Sequence, residues 1–103
     1  MSFSVRLTFE ALQDLERLES FLVELALRHG DFDLPLRAAD AIRQEMRILQ
    51  TNPYTCRKVG PNPLERELVI PFGGSGYVAL FEIIGESEVV VSAIRHQRED
   101  DYH

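Results

Sequence analysis

Two stretches of this chain space their apolar residues as helices do, and the stretches around them space them as strands do. From Ser2 to Thr8, Phe3, Val5 and Leu7 alternate with polar residues, which predicts a short half-buried strand. Thr8 suits the cap of a following helix, with Glu10 in the first turn where the helix dipole favours negative charge. Leu12, Leu15, Leu18, Leu22 and Leu25 then step by 3, 3, 4 and 3, a single apolar stripe, while Glu10, Asp14, Arg17 and Glu24 fall off it. This helix should stop near His29-Gly30, because glycine tolerates the left-handed conformation of a C-terminal cap. Asp33 as a cap and Pro35 in the first turn predict a second helix, and Leu36, Ala39, Ile42, Met46 and Leu49 repeat the same steps until Asn52-Pro53. So few residues join the helices that they should form an antiparallel pair.

The rest of the chain reads differently. Thr51 to Pro63 contains Pro53, Gly60, Pro61 and Pro63 and reads as loop. Three strand-like runs follow, Leu64 to Phe72, Tyr77 to Ile84 and Glu88 to Ile94, separated by Gly73-Gly74-Ser75-Gly76 and by Gly85-Glu86. Turns this short predict an antiparallel meander. The middle run is apolar on both faces, Val78, Leu80 and Ile84 on one and Tyr77, Ala79, Phe81 and Ile83 on the other. Such a strand should be central and covered twice, by helices on one side and something else on the other. The expected fold is α+β in the order β-α-α-β-β-β: a two-helix antiparallel hairpin on a small antiparallel sheet, forming a single domain over 1–103. From His96 onward the chain reads as a polar tail.

Composition narrows the function. A chain of 103 residues supports one modest core and no large cofactor pocket, and no cofactor is expected. Hydrophobic residues at 45% and charged residues at 27% are ordinary for a soluble domain. With Cys56 alone no internal disulfide can form. No charged segment leads into an apolar run at the N-terminus, and no stretch is apolar for long enough to span a bilayer, so the reading is a cytoplasmic protein without a membrane partner. The net charge of −6 opposes long-range steering toward a phosphate backbone, which tilts the choice of partner from nucleic acid toward protein.

A few residues stand out chemically. Arg66 shares strand parity with Leu64, Leu68 and Ile70, so its guanidinium leans toward an apolar face. Either it snorkels to water or pairs with a carboxylate such as Glu65 or Glu82, or it lines the concave side of the sheet as a functional cation. Arg95-His96-Gln97-Arg98 is a donor cluster where the last strand leaves the sheet; it could hold a phosphate, a carboxylate or an acidic partner face, or be neutralised by Glu99, Asp100 and Asp101. Tyr102 could stack on a base or anchor in a partner, although such tails are often only solvated. His96 and His103 make a weak ligand set, and no metal is expected. The glycine run connects two strands and precedes no helix, so it is a hairpin turn and not a phosphate cradle. Cys56 has no base near it in sequence and reads as incidental.

RELVIPFGGSGYVALFEI and VVVSAIRHQREDDYH resemble the ParE/RelE toxin superfamily: an Arg-Glu-Leu strand, a turn, Gly-Tyr opening the next strand, a Val-rich last strand and an Arg/His cluster after it. The predicted element order agrees with the family's over the whole chain. The resemblance implies a toxin of a type II toxin–antitoxin system, neutralised by a cognate antitoxin that lays a helix or extended segment over apolar surface; self-association as a homodimer stays open. Relatives of the RelE type cut mRNA on the ribosome, with lysines in the strand here spanning Arg66 to Ile70 and an arginine after Gly-Tyr. Those positions here hold Glu67, Val69 and Val78, which cannot stabilise phosphorane-like charge. Another nuclease variant uses a glutamate on the second helix, an arginine and a C-terminal His-Tyr pair; Glu45, Arg66, His96, Tyr102 and a reversed Tyr102-His103 order are its nearest counterparts here. Relatives of the ParE type inhibit DNA gyrase and need no catalytic set. The resemblance therefore implies a ParE-like binding inhibitor whose target contacts are Arg66, Arg95, His96, Arg98 and Tyr102, with the RelE-like endonuclease as the alternative.

Overall fold

A computed structural model describes residues 2–97. In chain order it contains β1 (Ser4–Leu7), α1 (Phe9–His29), α2 (Leu34–Met46), the single turn α3 (Ile48–Thr51), a 3₁₀ turn at Pro53–Thr55, β2 (Arg57–Lys58), β3 (Glu65–Phe72), β4 (Ser75–Ile84) and β5 (Glu88–His96). The five strands form one sheet in the order β1-β5-β4-β3-β2. The predicted meander is present from β3 to β5, antiparallel throughout. The sheet as a whole is mixed, however, because β1 joins β5 in parallel. A strand separated from its neighbour by two helices can re-enter the sheet in that direction.

Both ends of α1 are chemically defined. The Ala11 N–H donates to Thr8 Oγ1 at 3.1 Å, and Gly30 closes the helix in the left-handed region at φ 75°, its N–H donating to the Ala26 carbonyl. The start of α2 departs from expectation. Asp33 itself sits in helical conformation and its side chain caps nothing. Asp31 acts instead: it takes both guanidinium ends of Arg37, at 3.1 and 2.8 Å, across the turn between the helices. That hydrogen bond holds the Asp31 carboxyl below its ordinary range and raises Arg37. The second helix also breaks after Met46. Arg47 donates back three residues to Gln44, tightening the turn so that Leu49 of α3 enters the core.

The core lies between the helices and one face of the sheet. Ala11, Leu18, Leu22, Ala38 and Leu49 pack with Leu68, Ile70, Tyr77, Ala79, Phe81, Ile83, Val89, Val91 and Ile94. The helix stripes are rotated slightly from their sequence expectation. Ala11 is fully buried while Leu12 is 52% exposed, and Ala38 is fully buried while Leu36 is 70% exposed. The other sheet face carries Val69, Val78, Leu80, Val90 and Ala93, none of which joins that cluster. The second cover expected over β4 is thus not supplied by any described helix. The region read as loop, 51–63, holds α3, the 3₁₀ turn and β2, which pairs antiparallel with β3 through Arg57–Glu67 and Lys58–Arg66.

Two local devices set the geometry of β5. Leu80 pairs with Ala93 but Phe81 pairs with Val91, so Ser92 is an extra residue, a bulge. Side-chain parity inverts there: Val89 and Val91 face the helices, and so does Ile94. Second, β1 ends at Leu7 while β5 continues to His96, which leaves the β5 edge open. Asp14 of α1 closes it by accepting the Ile94 N–H at 2.9 Å. The same carboxylate pairs with Arg95 and lies 3.8 Å from Arg17.

Two substitutions test these devices. Asp14→Ala leaves an edge N–H and Arg95 without their acceptor and should lower unfolding free energy by about 2–4 kcal/mol in urea titration, with Asp14→Asn losing less. Gly76 lies at φ 147°, where an added Cβ collides with the Ile70 carbonyl, whereas nothing lies near Gly74. Gly76→Ala should cost about 2 kcal/mol or more and Gly74→Ala less than about 0.5 kcal/mol in the same titration.

Candidate functional site

The end of β5 gathers the predicted donor cluster against α1. By strand register Arg95 pairs with Val78 and His96 with Tyr77, so the bulge has sent Arg95 to the helix-free face and His96 to the helix side. Both residues belong to the strand, not to the tail predicted for His96. Arg95 bends around the open edge to Asp14 and remains partly exposed. His96 stands edge-on to the Tyr77 ring at 5.7 Å, with Nε2 3.1 Å from Ser75 Oγ; Tyr77 in turn stacks on Phe72. Burial raises the Tyr77 phenol above its ordinary range, so it stays protonated at neutral pH.

His96 borders a groove of about 560 Å³ between the C-terminal half of α1 and the β3–β4 turn. Its walls are apolar, with Leu18, Phe21, Leu22, Leu25 and Phe72, and Arg17, Ser75 and His96 stand at its polar margin. A second groove of about 350 Å³ runs between α1 and α2 over Leu15, Leu22, Ala39, Ile42 and Met46, with Glu19 and Arg43 beside it. Around these grooves the helix layer exposes Phe9, Leu12, Phe21, Leu27, Phe32 and Leu36. Apolar surface of this extent on a helix layer suits coverage by another chain more than solvation. Sequence periodicity concealed this surface, since it assigned Leu12 and Leu36 to the interior.

Arg66 stands at the other end of the sheet. It lies on the helix-side face opposite Phe81, and its guanidinium is held by the chain itself. It donates to the carbonyls of Pro63, Tyr54 and Cys56 at 2.8, 2.8 and 2.9 Å, and lies 5.3 Å over the Tyr54 ring. It pairs with no carboxylate among the described residues; it organises the loop that was expected to be irregular. The row of Arg66 and the row of His96 are four residues apart along β3, or about 13 Å. Glu45 is half-buried on α2. Arg98, Tyr102 and His103 lie outside the described residues.

Burial pushes the half-buried Cys56 thiol up, an effect that the positive charge of Arg66 opposes and the negative charge of Glu45 reinforces. A thiol so protonated at neutral pH is a poor nucleophile. Among the described residues no three His, Cys, Asp or Glu side chains converge as a metal site requires. None of the described helices is long and apolar enough to cross a membrane.

Glu67, Val69 and Val78 all lie on the helix-free face. That face is nearly neutral at its flanks, where Arg57 pairs with Glu67 and Arg6 Nε with Glu88 at 3.1 Å. Among the described residues it therefore carries no unpaired row of cations that would cradle a phosphodiester.

Comparison with known proteins agrees with this architecture. The solved structure titled "Chromosomal ParDE TA system from P. aeruginosa" superposes with a TM-score of 0.71 over 91% of this chain and 95% of that one, at 22% identity, a likeness of fold. The Caulobacter vibrioides protein named Toxin RelE1 is 34% identical over 96 residues, 93% of this chain and 95% of its own length. A family model described as "ParE toxin of type II toxin-antitoxin system, parDE" matches residues 5–101. With that match spanning nearly its whole length, the chain belongs to the ParE toxin family of type II toxin–antitoxin systems.

Proposed function

We propose that this chain, as a single cytoplasmic domain, arrests growth by docking on a protein target, DNA gyrase, without covalent chemistry of its own. The observation that carries this reading is the helix-free sheet face, where Glu67, Val69 and Val78 stand in place of the cations an RNA-cutting relative would need. Two further features support it. The Arg66 guanidinium is committed to three backbone carbonyls of its own chain, and its row lies about 13 Å along the strand from that of His96. The target contacts we assign are Arg95 on the helix-free face and His96 around the end of β5 on the helix side, with Arg98 and Tyr102 beyond them.

A cognate antitoxin is the second partner in this reading. The ParDE title of the structural neighbour and the family itself support its existence. The exposed helix-layer residues Phe9, Leu12, Leu27, Phe32 and Leu36 supply the apolar surface it would cover. With that layer occupied, the helix-free face would still be open, so silencing would act by competition near His96 or by bulk.

The reading is tested by two assays run side by side on the purified protein. Supercoiling by DNA gyrase should be inhibited, while mRNA in a translating extract should stay intact. Cleavage of that mRNA, abolished by Glu45→Ala or His103→Ala, would replace docking with ribosome-dependent nuclease activity. Expression without antitoxin that leaves growth unchanged would sink both activities.

A further inference from the structure

The helix-free face has a feature that its flanks do not share. Glu65 of β3 and Glu82 of β4 are direct cross-strand partners, and both are exposed. The other acids of this face are neutralised within the chain, Glu67 by Arg57 and Glu88 by Arg6. At the opposite end Arg95 is neutralised by Asp14. Among the described residues neither Glu65 nor Glu82 has an ion-pair partner. Like charges directly opposite one another destabilise an antiparallel pair. Among the described residues the sheet therefore presents two carboxylates side by side with no cation to neutralise them.

Beside that pair lies the apolar strip. Register sets Glu67, Leu80 and Ala93 in one row, Val69, Val78 and Arg95 in the next, and Glu65, Glu82 and Val90 in the row below. Val69, Leu80, Val90 and Ala93 are half-buried, and none belongs to the core. Ile84, one row further, is 42% exposed. Half-buried aliphatic groups next to an unneutralised carboxylate pair complement a segment that is itself apolar and cationic.

We infer that the helix-free face is the surface that receives the protein target, and that the segment received carries a lysine or arginine over Glu65 and Glu82 and apolar side chains over Leu80, Val69 and Val90. This deepens the docking function proposed above and rests on it. The bound cation neutralises both carboxylates at once, which neither flank of the sheet does. The antitoxin is a different occupant, on the helix layer, and needs neither glutamate.

The test uses the full chain and DNA gyrase as probe, with Glu65→Lys/Glu82→Lys as the variant and the charge-neutral Glu65→Gln/Glu82→Gln beside it. The double lysine variant, which keeps two like charges in register with their sign reversed, should melt near the parent, co-purify with the antitoxin, and bind gyrase at least about tenfold more weakly. The glutamine variant should weaken binding less, and the parent should lose affinity as salt is raised from about 50 to about 300 mM. Unchanged gyrase binding by the lysine variant overturns the inference, as does loss of antitoxin binding in its place. If the lysine variant fails to fold, the glutamine variant decides by the same criteria. If the parent itself ignores gyrase, the target assignment fails alone. The face is then judged by growth arrest: arrest equal to the parent's overturns it, and loss of arrest with antitoxin binding intact supports it.

Discussion

A strand that outlasts its neighbour must find acceptors for the amides it leaves uncovered. In this protein that condition arises once β1 stops at Leu7 and β5 runs on, and Asp14 meets it. One carboxylate, mostly buried, takes the Ile94 amide and the Arg95 guanidinium together. Because Asp14 sits on the second turn of α1, the same contact decides where that helix crosses the sheet. The helix then delivers Leu18 and Leu22 to the core and Phe21 to the groove beside His96. Thr8 anchors the start of the path, capping α1 while its own N–H bonds to the Val91 carbonyl at 2.9 Å. The first two turns of α1 are thereby tied to β5 at two points.

The two faces of the sheet divide the labour of the molecule. On one, helices bury the aliphatic and aromatic residues of β3 to β5, and their own outward surfaces remain greasy. On the other, short ion pairs at the flanks frame a thin apolar strip. A domain of this size cannot cover both faces with two helices, and it buries only about two thirds of the surface its unfolded chain exposes. The uncovered remainder is where other chains can bind.

Much of this was legible in the sequence. Helical periodicity located both long helices, and Thr8 and Gly30 marked the ends of the first because their cap chemistry is local. The hairpins followed from glycine-rich turns. What escaped was non-local. The parallel pairing of β1 joins residues more than eighty positions apart, and nothing in either segment announces it. Helix rotation is set by the sheet beneath, so stripes that look equivalent in sequence leave Leu12 and Leu36 outside. The 51–63 segment looked irregular because its order comes from Arg66, whose guanidinium collects three of the surrounding carbonyls. At the site, the sequence placed Arg95 and His96 where the last strand leaves the sheet, whereas β5 carries both and turns them to opposite faces. It missed Asp14, which lay off the apolar stripe and looked like ordinary helix surface.

The extra residue at Ser92 reaches beyond local geometry. Counting residues along β5 from Val89 would put Arg95 on the inner side and His96 on the outer, the reverse of what the register gives. A relative with a flat last strand would therefore present its arginine and histidine to opposite surroundings while matching this chain letter for letter. Equivalence between such proteins has to be read from which atoms face each other across the ladder, since position in an alignment does not carry it.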